Sequence, residues 1–449
     1  MEKIQIVRTS KDRLERFINL AIPVVEGASD IPPHDPTVII DSTVKYQEII
    51  GFGGAFTEAA GTVWLKLSPE KREEVAKLYF SASEGNGYNL CRTHMNSCDF
   101  SLGNYACCDT PGDVELKTFT IARERQNILP LLRCAQKYAG ADSLKLFISP
   151  WSPPAWMKDS KQMNAGGKLL PEYRDAWARY YCRFIEELGK EKIPVWGLTV
   201  QNEPIALVKW DSCYFSAEEE RDFVRDHLGP ALHKAGLGDC KVMVWDHNRF
   251  RLFDRVKSIY SDPEAAKYIW GAAYHWYADE CFDNLLRAHE AFPGKHLLFS
   301  EGCHEGGAWL GEWAIGERYA HNMINDFNNW SEGWVDWNLV LDDQGGPNHV
   351  GNYCSAPVMV DPENDRYMLQ SSYYYIGHFS RFVKRGAKRI LSCSSRDMLE
   401  AAAFENPDGS RVAVLLNRSG ENLCLYLKEG EKAIKLTLPP HSIETVVIE

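Results

Sequence analysis

Two glutamates stand where chemistry is usually placed. Residues 195–204 form an apolar run ending in Gln201-Asn202-Glu203-Pro204. Such a strand delivers an amide and a carboxylate at its tip, and Pro204 turns the chain out of the ladder. Residues 296–302 do the same, ending in Ser300-Glu301-Gly302. Two carboxyl groups facing each other over a pocket, one protonated and one ionised, are what glycosidic bond cleavage needs. The first donates to the leaving oxygen, and the second attacks or shields an oxocarbenium-like centre. A separation of about 5 to 5.5 Å implies retention through a covalent glycosyl–enzyme. A lone strand-end Glu is more often a cap or an ion-pair partner. Asn-Glu-Pro together with a second strand-end Glu is poorly explained that way.

Other strand tips carry compatible groups. Arg92 can pair with a pocket carboxylate and keep it ionised. His275-Trp276-Tyr277 closes another run, and the Tyr277 phenol can orient Glu301. Asn202 can bond a sugar hydroxyl, and Asp99 can take two. Trp151 and Trp337 offer flat apolar faces to a pyranose ring. His304 and Glu305 read as solvated loop residues, and Cys303 as a small packed one. No Cys/His set has zinc-like spacing, so neither a metal nor an organic cofactor is expected.

The elements that position these groups recur along the middle of the chain. Apolar runs at 49–55, 89–96, 144–151, 195–203, 242–247, 269–277, 296–301 and 334–339 alternate with amphipathic segments such as 69–80, 121–138, 171–188 and 217–235. Eight strands alternating with helices predict an α/β fold, a (β/α)8 barrel with its active groups at the C-terminal ends of the strands. Glu203 and Glu301 then end the fourth and seventh strands, across the mouth from one another. Gly51-Phe52-Gly53-Gly54 lies inside a strand and not at a helix start, which argues against a doubly wound nucleotide fold. After about residue 386 the pattern changes to short strands with turns at Pro407-Asp408-Gly409, Ser419-Gly420 and Glu429-Gly430. An antiparallel β-sandwich is expected over 386–449, joined by N-terminal strands from 1–45, with the barrel over 46–385.

A formal net charge of −12 argues against nucleic acid as a partner. The 13 cysteines are scattered and odd in number, unlike a disulfide scaffold. The first 17 residues are charged, and the stretch 17–25 is short and broken by Asn19 and Pro23. No signal peptide or membrane span is expected, and a reducing cytoplasm is the natural setting.

These motifs together resemble glycoside hydrolase family 30, in its glucosylceramidase (acid β-glucosidase) branch. The resemblance rests on Gly51-Phe52-Gly53-Gly54, Asn96-Ser97-Cys98-Asp99, Ser149-Pro150-Trp151, Asn202-Glu203-Pro204, His275-Trp276-Tyr277, Ser300-Glu301, Asp336-Trp337-Asn338, Gly345-Gly346-Pro347-Asn348 and Leu416-Asn417-Arg418-Ser419, in order along nearly the whole chain. It implies a barrel with a β-sandwich and a retaining exo-β-glucosidase taking a small β-glycoside. It implies Glu203 as acid/base, Glu301 as nucleophile, and Asp99, Trp151, Asn202, Trp337 and Asn352 around the sugar. It also implies that Arg92 and Tyr277 position the nucleophile. Gly302 departs from the Ala of that branch. β-Xylosidase, β-fucosidase and β-1,6-glucanase activities use the same two glutamates and are the neighbouring alternatives. A binding protein that has lost catalysis is disfavoured by the intact pair with Asn202 and Tyr277.

Overall fold

The computed structural model describes residues 3–21, 25–140 and 143–449; Pro23, within the apolar stretch 17–25, lies outside them, as do Met1 and Glu2. All eight apolar runs form strands: β1 Gly51–Phe56, β2 Leu90–Met95, β3 Lys145–Pro150, β4 Val195–Thr199, β5 Lys241–Asn248, β6 Ile269–His275, β7 His296–Glu301 and β8 Gly333–Asn338. They pair in parallel in chain order, and β8 closes on β1 with Trp334 opposite Phe52. The close approach of β1 to β2 needs glycine at 53, because a Cβ there would lie 1.8 Å from the Leu90 carbonyl oxygen.

The connecting helices follow from their stripes and caps. The helix Ile128–Ala139 buries Ile128, Leu129, Leu131, Leu132 and Ala135, one face at helical spacing. Pro69–Phe80 starts with proline after Ser68, whose hydroxyl accepts from the Lys71 N–H.

Inside the barrel the side chains stack in layers two residues apart. Leu90, Phe147, Met243, Ala273, Leu298 and Val335 form a buried apolar floor. Two positions further on, Arg92, Ser149, His275, Ser300 and Trp337 build a mostly polar layer above it. The pocket lies above that layer.

Beside the barrel, ten strands form one continuous sheet in which Ile4–Ser10 pairs with Ser442–Ile448. Its pairs are antiparallel except where Leu423–Glu429 runs parallel to Thr37–Glu48. Alternate residues of both wings, among them Ile6, Ile40, Leu415, Leu425, Leu436 and Val446, meet in one core, so the sheet folds on itself as a sandwich. Ala402, Phe404, Val412, Val414 and Ile443, on strands of this sheet, join the barrel's core instead; Phe404 stacks edge-on against Phe327 of the helix Trp313–Asn328 at 5.5 Å. Among the described residues, no helix is long and apolar enough to cross a membrane.

Candidate active site

At the C-terminal mouth of the barrel lies a cavity of about 400 Å³, lined by Asp99, Trp151, Asn202, Glu203, Tyr277, Glu301, Trp337 and Asn352. Arg92 and His275 lie fully buried beneath it. The structure therefore gathers every candidate site residue into one pocket and its floor.

Glu301 ends β7. Its Oε2 accepts from Arg92 Nη1 at 2.5 Å and its Oε1 from the Tyr277 hydroxyl at 3.0 Å. Arg92 spends its remaining donors on Ser149 Oγ (2.9 Å), Asn202 Oδ1 (2.9 Å), Asp246 Oδ2 (2.7 Å) and Ser300 O (3.4 Å). Arginine only donates, so this contact fixes the Asn202 oxygen and leaves the amide nitrogen for a ligand.

Glu203 lies beyond β4, which ends at Thr199 and not at the glutamate. The chain stays tied to both neighbouring strands: Asn202 N–H donates to Pro150 O at 2.8 Å and Glu203 N–H to Asp246 O at 2.9 Å. Glu203 takes a left-handed φ of 47°. That conformation is costly for a residue with a side chain, and it aims the carboxyl into the pocket. Oε1 lies 3.2 Å from His275 Nδ1 and 3.7 Å from His247 Nδ1.

Elsewhere in the pocket lining, Asp99 Oδ2 accepts from Asn352 Nδ2 at 3.0 Å and Asn348 Nδ2 at 3.3 Å. Trp151 and Trp337 stack on each other, with centroids 5.1 Å apart and planes at 21°. They form one slab and not two separate platforms. Arg92 lies 4.7 Å from the Trp151 ring, so the slab is also held from below.

Residues 49–383 match the family model described as the glycosyl hydrolase family 30 TIM-barrel domain, and residues 386–446 match that of the family's beta sandwich domain. The chain belongs to glycosyl hydrolase family 30. The lysosomal acid glucosylceramidase of Mus musculus is 36% identical over 420 residues, covering 89% of this chain and 81% of that one. The endo-1,6-beta-D-glucanase of Neurospora crassa is 28% identical, covering 86% and 82% of the two chains. The crystal structure of SrfJ from Salmonella typhimurium superposes with a TM-score of 0.95 at 37% identity, over 100% of this chain and 99% of that one. The protein is a glycoside hydrolase.

The family 30 site is strongly polarised. Burial acts first on Asp246, but Arg92, His275 and Ser300 outweigh it and hold this carboxyl well below its ordinary range. Burial opposes the charge on His275, yet Glu301, Asp246 and Glu203 raise it to about 9. Glu301 is pushed up by burial, with His275 and Arg92 pulling it back. Burial acts on Glu203 in the same sense, but the imidazoles of His247 and His275 outweigh it and keep that carboxyl below its usual value. Burial raises Asp99 to about 7. Groups coupled this closely release protons in steps that belong to the cluster.

Sequence reasoning missed Asp246, which accepts from Arg92, from Thr199 Oγ1 and from Ser300 Oγ and lies 3.0 Å from His275 Nε2. It sits in a bulge where Trp245 and Asp246 have φ of 75° and 47° and the pairing with β6 shifts by one. It also missed His247 and Asn248, which line the pocket. The available signal was the polar Asp246-His247-Asn248 tail on an apolar run. His304 and Glu305 are not simply solvated: they pair as a short strand with Cys354–Ser355, and Glu305 binds Arg318 at 2.8 Å. Cys303 is buried. Gly302 has a local reason, since a Cβ would meet Phe299 at 2.6 Å and Trp276 at 2.8 Å. Among the described residues, no group of three or more His, Cys, Asp or Glu side chains could hold a metal ion.

Proposed function

We propose that this family 30 enzyme is a retaining exo-β-glucosidase of the glucosylceramidase-like kind, with Glu301 as nucleophile and Glu203 as general acid and base. The observation that carries the assignment is an asymmetry of donors: Arg92 and Tyr277 both hold Glu301, and neither bonds Glu203. A charge count supports it. Arg92 and protonated His275 face the carboxyls of Asp246, Glu301 and Glu203. A buried cluster avoids net charge, so once a sugar seals the pocket one of the three takes up a proton. Asp246 and Glu301 are the better supplied with donors, which leaves Glu203. A sugar filling the pocket strips water from Glu203 and raises its affinity for that proton.

In the first step Glu203 protonates the leaving oxygen while Glu301 attacks the anomeric carbon. In the second, Glu203 takes a proton from water, which displaces Glu301. Asp99, Asn202 and Asn352 bond ring hydroxyls against the tryptophan slab. Bonding of Asp99, Asn348 and Asn352 to one another across the sugar-binding end supports an exo reading. An apolar aglycone suits the rim, where Leu102, Leu207, Phe250, Trp309, Leu310 and Tyr353 are exposed on loops after β2, β4, β5, β7 and β8. Likeness to the mouse glucosylceramidase supports glucose as the sugar; likeness to the Neurospora enzyme keeps β-1,6-glucan as the second reading.

The deciding experiment follows initial rates on 4-nitrophenyl β-glucoside, β-xyloside, β-galactoside and β-fucoside beside polymeric β-1,6-glucan, with the first-formed anomer read by NMR. Preference for glucoside with β-glucose released first is expected. An α-anomer released first would sink the retaining assignment, and faster internal cleavage of the glucan would sink the exo-glucosidase.

A further inference from the structure

Two residues outside the pocket, Asp211 buried and His349 partly buried, tie together the loops that carry its sugar-binding end. Asp211, in the loop after β4, is buried; its Oδ1 accepts from Ser97 Oγ at 2.5 Å and from Asn104 Nδ2 at 2.9 Å, both in the loop after β2. Its Oδ2 faces His349 Nε2 at 3.5 Å, in the loop after β8. His349 sends its backbone N–H to Asp99 O at 3.2 Å, and its ring Nδ1 lies 3.2 Å from Ser101 O. The preceding residue, Asn348, donates to the Asp99 carboxylate beside Asn352. The contacts of Asp211 and His349 thus converge on the short segments around Asp99 and Asn352.

The facing atoms are unfinished. Asp211 Oδ2 and His349 Nε2 are both buried, and among the described residues neither makes a hydrogen bond. A buried polar atom left unpaired is costly, and a shift of a few tenths of an ångström would join these two. Hydrogen bonds that are long in an empty site commonly tighten when it fills.

We propose that Asp211 and His349 are positioning residues for the sugar: they set Asp99 against Asn352, and they close into a hydrogen bond when a ligand draws the β4 and β8 loops together. The proposal rests on Asp99 and Asn352 being sugar-binding residues. A brace that served only folding would burden every substrate equally, whereas a positioning brace acts on the hydroxyl that Asp99 holds.

The test compares 4-nitrophenyl β-glucoside with its 4-deoxy and 6-deoxy analogues, using the full chain and its Asp99→Asn, His349→Ala, His349→Gln and Asp211→Asn variants. The analogue against which Asp99→Asn loses discrimination lacks the hydroxyl that Asp99 holds. His349→Ala and Asp211→Asn should then lower kcat/KM for the parent glucoside about 10-fold and leave the matching deoxy analogue within about twofold, the scale of one hydrogen bond to a charged group. His349→Gln, whose amide can donate to Asp211, should restore most of the loss. Equal losses on parent and deoxy substrates, or no loss in any variant, overturn the proposal. If Asp99→Asn changes discrimination at neither position, the sugar-binding role of Asp99 fails and the proposal falls with it.

Discussion

Arg92 and Asp246 form an ion pair of 2.7 Å with both side chains sealed from solvent, and between them they reach both pocket glutamates. Arg92 touches Glu301 directly; Asp246 reaches Glu203 through His275. A buried pair repays its desolvation only when its remaining donors and acceptors are also met. Here Ser149, Asn202, Thr199 and Ser300 meet them.

Asp246→Asn removes the carboxylate shared by Arg92 and His275 and leaves Arg92 with Glu301 alone. Breaking a buried pair from one side costs about 3 to 5 kcal/mol, and His275 loses the acceptor that orients it toward Glu203. Denaturant unfolding should show a loss of that size, together with a fall in kcat. Stability and kcat unchanged from the parent would mean the pair supports neither the fold nor the site.

Glu301→Gln keeps the shape of the side chain but cannot form a glycosyl ester. Turnover of 4-nitrophenyl β-glucoside should fall to background while the far-UV dichroism stays as in the parent. Full activity in this variant would remove Glu301 from the mechanism.

Tyr277→Phe deletes one of the two donors to Glu301. A hydrogen bond to a charged group is worth about 1.5 to 3 kcal/mol, and each 1.36 kcal/mol is tenfold in rate. A loss of roughly 10- to 100-fold in kcat/KM is expected. A loss under about twofold would show that Arg92 alone fixes Glu301.

The proton on Glu203 should be held differently in the free and the occupied enzyme. In the open pocket burial pushes this carboxyl up, but the imidazoles of His247 and His275 hold it low. Bound sugar removes water and raises it. With an alkyl β-glucoside, whose poor leaving group makes the first step limiting, the alkaline limb of kcat should lie at higher pH than that of kcat/KM. Coincident limbs would contradict this account.

Asp99 makes a prediction about stability. Burial, with Glu301 and Asp211 adding to it and the Asn352 bond opposing it, raises this carboxyl from 3.8 to about 7. Between those values the folded chain holds a proton that the unfolded chain has released, so stability falls as pH rises through that window. Asp99→Asn has no such penalty. Its Tm relative to the parent should increase from pH 4 to pH 7 and then level off, while binding of glucosides weakens. A constant difference in Tm across that range would refute the buried-carboxyl account.

Much of this architecture is legible in the amino acids. Most barrel strands are apolar runs that turn polar at or just past their C-terminal ends; Glu301 and His275 stand at such ends, Glu203 lies shortly past β4, and Arg92 sits within β2. Asp246 is harder to see, because its inward direction depends on two left-handed residues in succession, Trp245 and Asp246. Neither residue type announces that conformation, and strict alternation along β5 assigns the faces wrongly. The stacking of Trp151 on Trp337 is hidden for another reason. The two rings come from β3 and β8, and only barrel closure decides that they share a face. Asn348 ends a recognisable motif and His349 follows it, yet Asp211, which faces His349, lies in a different loop with no spacing that ties it to them.

The pairing of Ile4–Ser10 with Ser442–Ile448 has a consequence for synthesis. The Arg8–Glu444 ion pair joins residues 436 apart in sequence. On a ribosome, all eight barrel strands emerge before the partner of that early strand exists. The barrel can therefore close while the apolar face of residues 4–10, with Ile4 and Ile6, is still waiting for its neighbour. The sandwich cannot be completed until that late strand is made, and residues 4–10 wait for it through the synthesis of the whole barrel.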